Sequence, residues 1–342
     1  MIIPSVVYCP TDRCDMRCEY CPTEGGGSYG ENFEISRSPL GVDDAVWVVN
    51  AIGRLGFSAF RLTGGEPLLK TTRVAGILDG VVKAGVYSNV RLNTNGSRLK
   101  GAIAALAPIS LTAVKVSLDT LDPDLFEKIT KSRKHSDVVL GIELAKAAGL
   151  PVEVNAVLTR QTASGIMDLV HWCMERDIHL KILDLVQYDS QDPGYIEGEK
   201  AISAEIDTQL RVAFGQPEVV QLSNNRGIYM KRYGPKPFVR FKDCGEGTTY
   251  TNYCHGCTHY PCEEGIHHLS ISADGHLRPC RIRNNCYWDL QPIIRDRDTA
   301  RLTELVEFML KHYYSGEFSL PYGTARTRGD GLVRLTPSGV TR

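Results

Sequence analysis

Five short β-branched runs, each closing on polar residues and set apart by helical patterns, constrain the fold of this 342-residue chain more than any other feature. The runs "SAFRLTGG" (58–65), "NVRLNTNG" (89–96), "AVKVSLDT" (113–120), "PVEVNAVL" (151–158) and "HLKILDLV" (179–186) read as strands. Between them, "DDAVWVVNAIGRLG" (43–56) and "HSDVVLGIELAKAAGL" (135–150) space their apolar residues as helices do. Strands that are apolar almost throughout suit a parallel sheet covered on both faces. With "IPSVVY" (3–8) in front, the alternation amounts to about six β/α units joined by right-handed crossovers. The expected fold is α/β, an open sheet or a barrel.

Polar residues gather at the strand C-termini, in "TGGEP", "NTNG", "SLD" and "VNAV". In a barrel, the loops beyond those ends build the active site. The stretch "TDRCDMRCEYC" (11–21) also follows a strand, so Cys14, Cys18 and Cys21 fall on the same rim. Eleven cysteines, an odd count in a chain with no secretory n-region, speak for reduced thiols and against a disulfide framework. Cys9, Cys14, Cys18 and Cys21 lie at the front; Cys244, Cys254, Cys257, Cys262, Cys280 and Cys286 lie in one later window. Two groups so far apart imply two metal sites. Cys173, alone in "HWCMER", reads as a buried structural cysteine. A formal net charge of −1 offers no basic field to duplex nucleic acid or a membrane surface, and a cytoplasmic protein is expected.

Thiolates at C-x3-C-x2-C can reach one soft metal centre from a single loop. Structural zinc takes four protein ligands. An iron–sulfur cube held by three cysteines keeps one iron open to an outside ligand, whereas Cys9 as a fourth ligand would close it. After residue 215 the alternation stops, and "NNRGIYMKRYGPKPFVRFKDCGEGTTYTNYCHGCTHYPCEEG" (224–265) reads as loops organised around ligands. "IHHLSISADGHLRPC" (266–280) reads as a hairpin turning at Asp274-Gly275, "TARLTELVEFMLKHY" (299–313) as a helix, and the polar end (322–342) as a tail. The expected division is a barrel over 1–215, a thiol-bearing region over 216–296, and a C-terminal helix and tail over 297–342.

C-x3-C-x2-C with an aromatic before the last cysteine, followed by "GGEP", resembles the radical S-adenosylmethionine (SAM) enzymes. Within them, "TDRCDMRCEYC", "RLTGGEPLLK", "NTNG" and "VKVSLDTLD" are very similar to the MoaA group, the GTP cyclases that begin molybdenum-cofactor synthesis. The resemblance covers about residues 8–160 and returns at "SADGHLRPC". It implies a partial (β/α)6 TIM-type barrel with a twitch-type C-terminal extension carrying an auxiliary iron–sulfur cluster. It makes Cys14, Cys18 and Cys21 ligands of a 4Fe–4S cluster whose open iron SAM chelates. It also implies that Tyr20 lies against the SAM adenine, that Gly64 and Gly65 admit the methionine end, that Glu66 accepts from the SAM amino group, and that Ser117 helps hold SAM. The implied chemistry is reductive cleavage of SAM to a 5′-deoxyadenosyl radical, which abstracts hydrogen from an enclosed substrate. An electron donor such as flavodoxin or ferredoxin is implied with it.

The same resemblance places a second 4Fe–4S cluster at Cys254, Cys257 and Cys280, with Cys262 as a fourth thiol. Cys244 or Cys286 stands as an alternative ligand, and structural zinc as the alternative metal. Where the GTP cyclases carry basic residues, this chain has Val7, Glu153, His268 and Ser270; Arg61 is retained, and Lys181 stands in for an arginine. A triphosphate calls for several Arg or Lys contacts. The expectation is therefore a relative acting on another small molecule, a nucleoside, nucleotide or sugar of a specialised biosynthetic pathway. Arg61, Asn93, Asn155, Lys181 and His268 are its candidate contacts. The alternatives are a true GTP cyclase, a non-catalytic iron–sulfur sensor and a peptide-modifying maturase. With only thirteen residues before Cys14, the N-terminal peptide-binding domain common in maturases is not expected.

Overall fold

The computed structural model describes residues 5–21, 38–186, 195, 198–199, 203–221, 229–242, 249–254, 257, 268–280, 286–316 and 318–319. Strands β1 (Ser5–Tyr8), β2 (Ala59–Leu62), β3 (Asn89–Thr94), β4 (Ala113–Ser117), β5 (Val152–Leu158) and β6 (His179–Asp184) lie side by side and parallel. Each expected strand is present and most stop short of their polar ends, which become the rim loops. The sheet curls into a half-barrel. Helices that include Val42–Gly53, Thr71–Lys83, Leu99–Leu106, His135–Ala147 and Ile166–Glu175 pack on its outer face through one continuous apolar core.

The two faces of the strands differ more than their sequences suggest. In β5 the outward residues Val152, Val154, Ala156 and Leu158 are buried, while the inward Glu153, Asn155 and Val157 are only half-buried. The expected covering of both faces therefore holds only on the outside. The inner face is the wall of a polar cavity.

The sheet does not end with β6. On that side it continues through β7 (Glu218–Gln221), β8 (Tyr229–Tyr233) and β9 (Val239–Lys242), with β9 parallel to β6 and antiparallel to β8. The reading of this segment as loops is corrected here. "YMKRY" and "VRFK" are short alternating strands whose Gly- and Pro-rich flanks hide them. A two-residue β10 (Thr249–Tyr250) pairs with the similarly short β14 (Phe318–Ser319). At the other edge, β11 (His268–Ile271) runs parallel to β1 and turns at Asp274-Gly275, with Gly275 at φ +88°, into β12 (His276–Arg278) and then β13 (Trp288–Asp289). The hairpin and the helix Thr299–Tyr313 are as the sequence implies. Residues 322–342, Cys244 and Cys262 lie outside the described residues. Among the described residues no helix is long and apolar enough to cross a membrane.

Candidate active site

The thiol loop after β1 is held from two sides. Arg17 and Glu19 donate backbone N–H groups to the carbonyls of Thr130 and Ile129, at 2.9 and 3.0 Å. Those carbonyls end the helix Pro123–Thr130, whose start is set by Pro123 and by the Asp122 carboxylate accepting from the backbone of Asp124 and Leu125. From the other side, Gly65 and Glu66 donate to the carbonyls of Thr11 and Arg13 at 2.8 and 2.7 Å. Gly64 sits at φ +139°, and a Cβ there would lie 2.4 Å from the Thr11 carbonyl oxygen. Only glycine allows the loops this approach. Gly64→Ala is expected to lower the melting temperature by several degrees; an unchanged thermal melt would show that the contact is not a constraint.

Cys14, Cys18 and Cys21 are all half-buried. Burial first, then Asp119 and the two neighbouring thiols, push Cys18 well above the ordinary thiol range. The backbone N–H of Met16 and the Asn95 Nδ2 both donate to Cys14 Sγ at 3.5 Å, which favours a thiolate there against its burial. Asp15 gathers Asn95 Nδ2, Ser97 Oγ and Lys134 Nζ within 2.9 Å. Burial opposes its ionisation, but these donors prevail and hold it down at about 2. Among the described residues no group of three or more His, Cys, Asp or Glu is placed to hold a single metal ion. Cys14 and Cys21 both act on Cys18, so the three soft thiols face one place, and that donor set suits an iron–sulfur cube.

Glu66 is fully buried, its carboxylate accepting from Leu68 N (2.8 Å), Thr94 Oγ1 (2.7 Å) and Asn95 N (2.6 Å). Burial pushes it up to about 7. Three of its roughly four acceptor positions are thus occupied by the protein, so Glu66 braces the end of β3 against the thiol loop. The Tyr20 hydroxyl donates to Asp119 Oδ2 at 2.6 Å, and Asp119 Oδ1 accepts from Val157 N at 2.8 Å. Burial raises Asp119 to about 6. Asp119 was not singled out from the sequence, although it stands in the quoted "SLD". Ser117 is exposed at the end of β4.

Below the rim, strand register lines up the inner wall. Asn93 lies beside Lys115, Lys115 beside Glu153, Asn155 beside Lys181, and Lys181 beside Arg240. Glu153 Oε2 is 2.7 Å from both Lys115 Nζ and Arg240 Nη2. The carboxamide oxygens of Asn93 and Asn155 are buried without a hydrogen-bond partner. Arg61 Nη2 donates to His268 Nε2 at 2.9 Å, so His268 carries its proton on Nδ1 and donates it to Ser5 Oγ at 2.9 Å. Burial, then Lys115, Lys242, Arg240 and Arg61, push Lys181 well below the ordinary lysine range. Across β1–β6 and β9 the inner face therefore carries Arg61, Arg91, Lys115, Lys181, Arg240 and Lys242 against one acid, Glu153. Beside Arg61 and Lys181, the two cations singled out from the sequence, the wall thus carries Arg91, Lys115, Arg240 and Lys242. Sequence reasoning missed these because only register reveals which strand residues meet.

The second thiol group also converges. Cys254, Cys280 and Cys286 are buried and Cys257 is half-buried. Burial, reinforced by Cys280 and Cys257, raises Cys254 to about 12. The Tyr314 hydroxyl, at the end of the helix Thr299–Tyr313, faces the backbone carbonyls of His268 (2.7 Å) and Pro279 (3.0 Å) among Cys254, Cys280 and Cys286. His268 thus touches both places, its ring bonded to Arg61 in the cavity and its carbonyl to Tyr314.

Known proteins resemble this chain in sequence and in fold. The sequence profile of the Radical SAM superfamily matches residues 8–173. A "Probable GTP 3′,8-cyclase" of Methanothermobacter thermautotrophicus is 30% identical over 297 residues, 86% of this chain and 90% of that protein. A GTP 3′,8-cyclase of Streptomyces coelicolor is 36% identical over 208 residues, 60% of this chain and 59% of the relative. Among solved structures, Streptococcus suis SuiB bound to S-adenosylmethionine superposes with a TM-score of 0.56 at 20% identity, over 82% of this chain and 60% of SuiB. Native anSMEcpe with bound AdoMet superposes at 0.52 and 14% identity, over 87% of this chain and 82% of that one.

Proposed function

Because the chain belongs to the radical SAM superfamily of enzymes, we propose that Cys14, Cys18 and Cys21 hold a 4Fe–4S cluster with one iron open to SAM, and that the inner wall takes an anionic small molecule, a nucleotide first among them. When bound, cluster and SAM supply reductive cleavage of SAM and removal of a hydrogen atom from the substrate. The chain's own residues position and enclose. The Gly64–Glu66 turn holds the thiol loop by its backbone, Tyr20 and Asp119 lock that loop to β5, and exposed Ser117 lines the mouth.

The single observation that carries the substrate class is the wall's charge, six cations against Glu153. An excess of cations around a partly enclosed cavity attracts an anion, and a phosphate or carboxylate meets them with charge-assisted hydrogen bonds. This supports a nucleotide over an uncharged nucleoside or sugar, and keeps GTP among the candidates. Anaerobic reconstitution with iron and sulfide, followed by reductant and SAM, is expected to yield 5′-deoxyadenosine, faster with a nucleotide than with its nucleoside. Equal rates for the two would remove the charge argument.

At the second thiol group we propose a further 4Fe–4S cluster on Cys254, Cys257, Cys280 and Cys286: Cys254 feels Cys280 and Cys257, and Tyr314 feels Cys280, Cys286 and Cys254. Cys286→Ala is expected to take iron content from about eight to about four per chain. Iron that stays near eight would hand the fourth position to another thiol.

A further inference from the structure

Asn95, the second asparagine of "NTNG", is held at three points in the loop after β3. Its backbone N–H donates to Glu66 Oε2 at 2.6 Å. Its side-chain Oδ1 accepts from the backbone N–H of Ser97 at 2.9 Å, and its Nδ2 donates to Asp15 Oδ1 at 2.9 Å. A backbone N–H can only donate, so the Ser97 contact fixes which end of the carboxamide is oxygen and turns Nδ2 toward the thiol loop. There its two hydrogens meet two acceptors, Asp15 Oδ1 and, at 3.5 Å, Cys14 Sγ. Asp15 is immobilised in turn, its Oδ2 accepting from Ser97 Oγ (2.8 Å) and Lys134 Nζ (2.7 Å). Lys134 also answers the charge of Asp15, so the amide dipole is what reaches the sulfur. The bonds to Glu66, Ser97 and Asp15 suffice to brace the two loops; the fourth goes to a thiol the metal reading needs.

We propose that Asn95 tunes the front cluster: its donation to Cys14 Sγ stabilises the electron-rich, reduced state and raises the reduction potential. This rests on the reading of Cys14, Cys18 and Cys21 as cluster ligands, and adds which side chain outside the thiol loop sets how readily that site takes up its electron. The step concerned is the transfer of one electron from an outside low-potential reductant into the cluster, with no bond made or broken at Asn95. Added electron density spreads onto the ligand sulfurs, and a donor there favours the reduced state more than the oxidised one. Because Asn95 is locked from both sides, its dipole is already in place when the electron arrives.

The test is a potentiometric titration of the reconstituted protein followed by electron paramagnetic resonance, in which the signal that SAM alters identifies the front cluster. Asn95→Ala is expected to shift the reduction equilibrium about tenfold toward the oxidised state, a potential lower by about 59 mV for a one-electron couple. Asn95→Asp keeps the shape and the bond from Ser97 but puts negative charge where the donor stood, and is expected to shift it the same way and further. Ser97→Ala removes a bond to Asp15 and spares the backbone N–H that orients Asn95, so it is expected to move the potential by less than about twofold in the equilibrium. Iron content and thermal melts establish that each variant is loaded and folded. A potential unchanged in Asn95→Ala, or moved as far by Ser97→Ala, overturns the proposal and leaves the cluster standing. Wild-type protein carrying asparagine with heavy nitrogen in its side chain gives a check that needs no variant. A hyperfine coupling of that nitrogen to the reduced front cluster is expected, and its absence overturns the proposal. A wild type with no SAM-responsive cluster overturns the reading of the three thiols itself, and the proposal with it.

Discussion

Glu153→Ala is expected to cost about 3–5 kcal/mol of folding stability, because it strips two buried cations of the anion they share. Lys115 and Arg240 both lie 2.7 Å from Glu153 Oε2, and Arg91 is close enough to feel the same charge. Removing the carboxylate leaves mutually repelling cations side by side in the cavity wall. The same geometry sets a pH dependence. Burial opposes ionisation of Glu153, but Lys115 and Arg240 outweigh it and hold the group at about 2, against an ordinary 4.5. Its stabilising contribution is therefore complete above about pH 4.5 and is lost as pH falls toward 2. Chemical denaturation at pH 7 and at pH 3 measures both effects. A loss below about 1 kcal/mol at pH 7, or an equal loss at the two values, would mean that the cations find other partners. Glu153→Gln, where it folds, is expected to bind pyrophosphate more tightly than wild type, since it frees positive charge.

Cys18→Ala is expected to abolish 5′-deoxyadenosine formation and to take iron content from about eight to about four per chain. Cys18 sits between Cys14 and Cys21 in the convergent group, and its burial leaves it no role as a solvated thiol. Cys173→Ala is the control. That residue is fully buried on the helix Ile166–Glu175, away from both thiol groups, and its substitution should reduce stability while leaving iron unchanged. Cys18→Ala protein that still forms 5′-deoxyadenosine would end the proposal that these three thiols are the cluster's ligands.

The architecture was legible because its signals are local. Apolar runs closing on "TGG", "NTNG" and "SLD" announce strands with rim loops, and C-x3-C-x2-C puts three thiols within reach of one centre whatever surrounds them. Asn93, Asn155 and Lys181 could be picked as facing the cavity from their strands, and Arg61 from the resemblance to the family. The partners of those residues were not legible. Glu153 read as a lone acid inimical to phosphate, and in the folded chain it is the counter-ion of Lys115 and Arg240. The Leu68, Thr94 and Asn95 donors that hold Glu66 were likewise not legible in the sequence.

By itself, then, the chain's sequence determined the β/α alternation, the rim and the two sets of thiols, since each depends on spacing along a few residues. Tertiary structure alone decided the charge of the cavity and the burial of Cys254, Cys280 and Cys286 around Tyr314. Arg240 joins Lys181 only because β9 pairs in parallel with β6. That register is set by packing on the outer face and by ladder hydrogen bonds between distant segments, which no local pattern encodes.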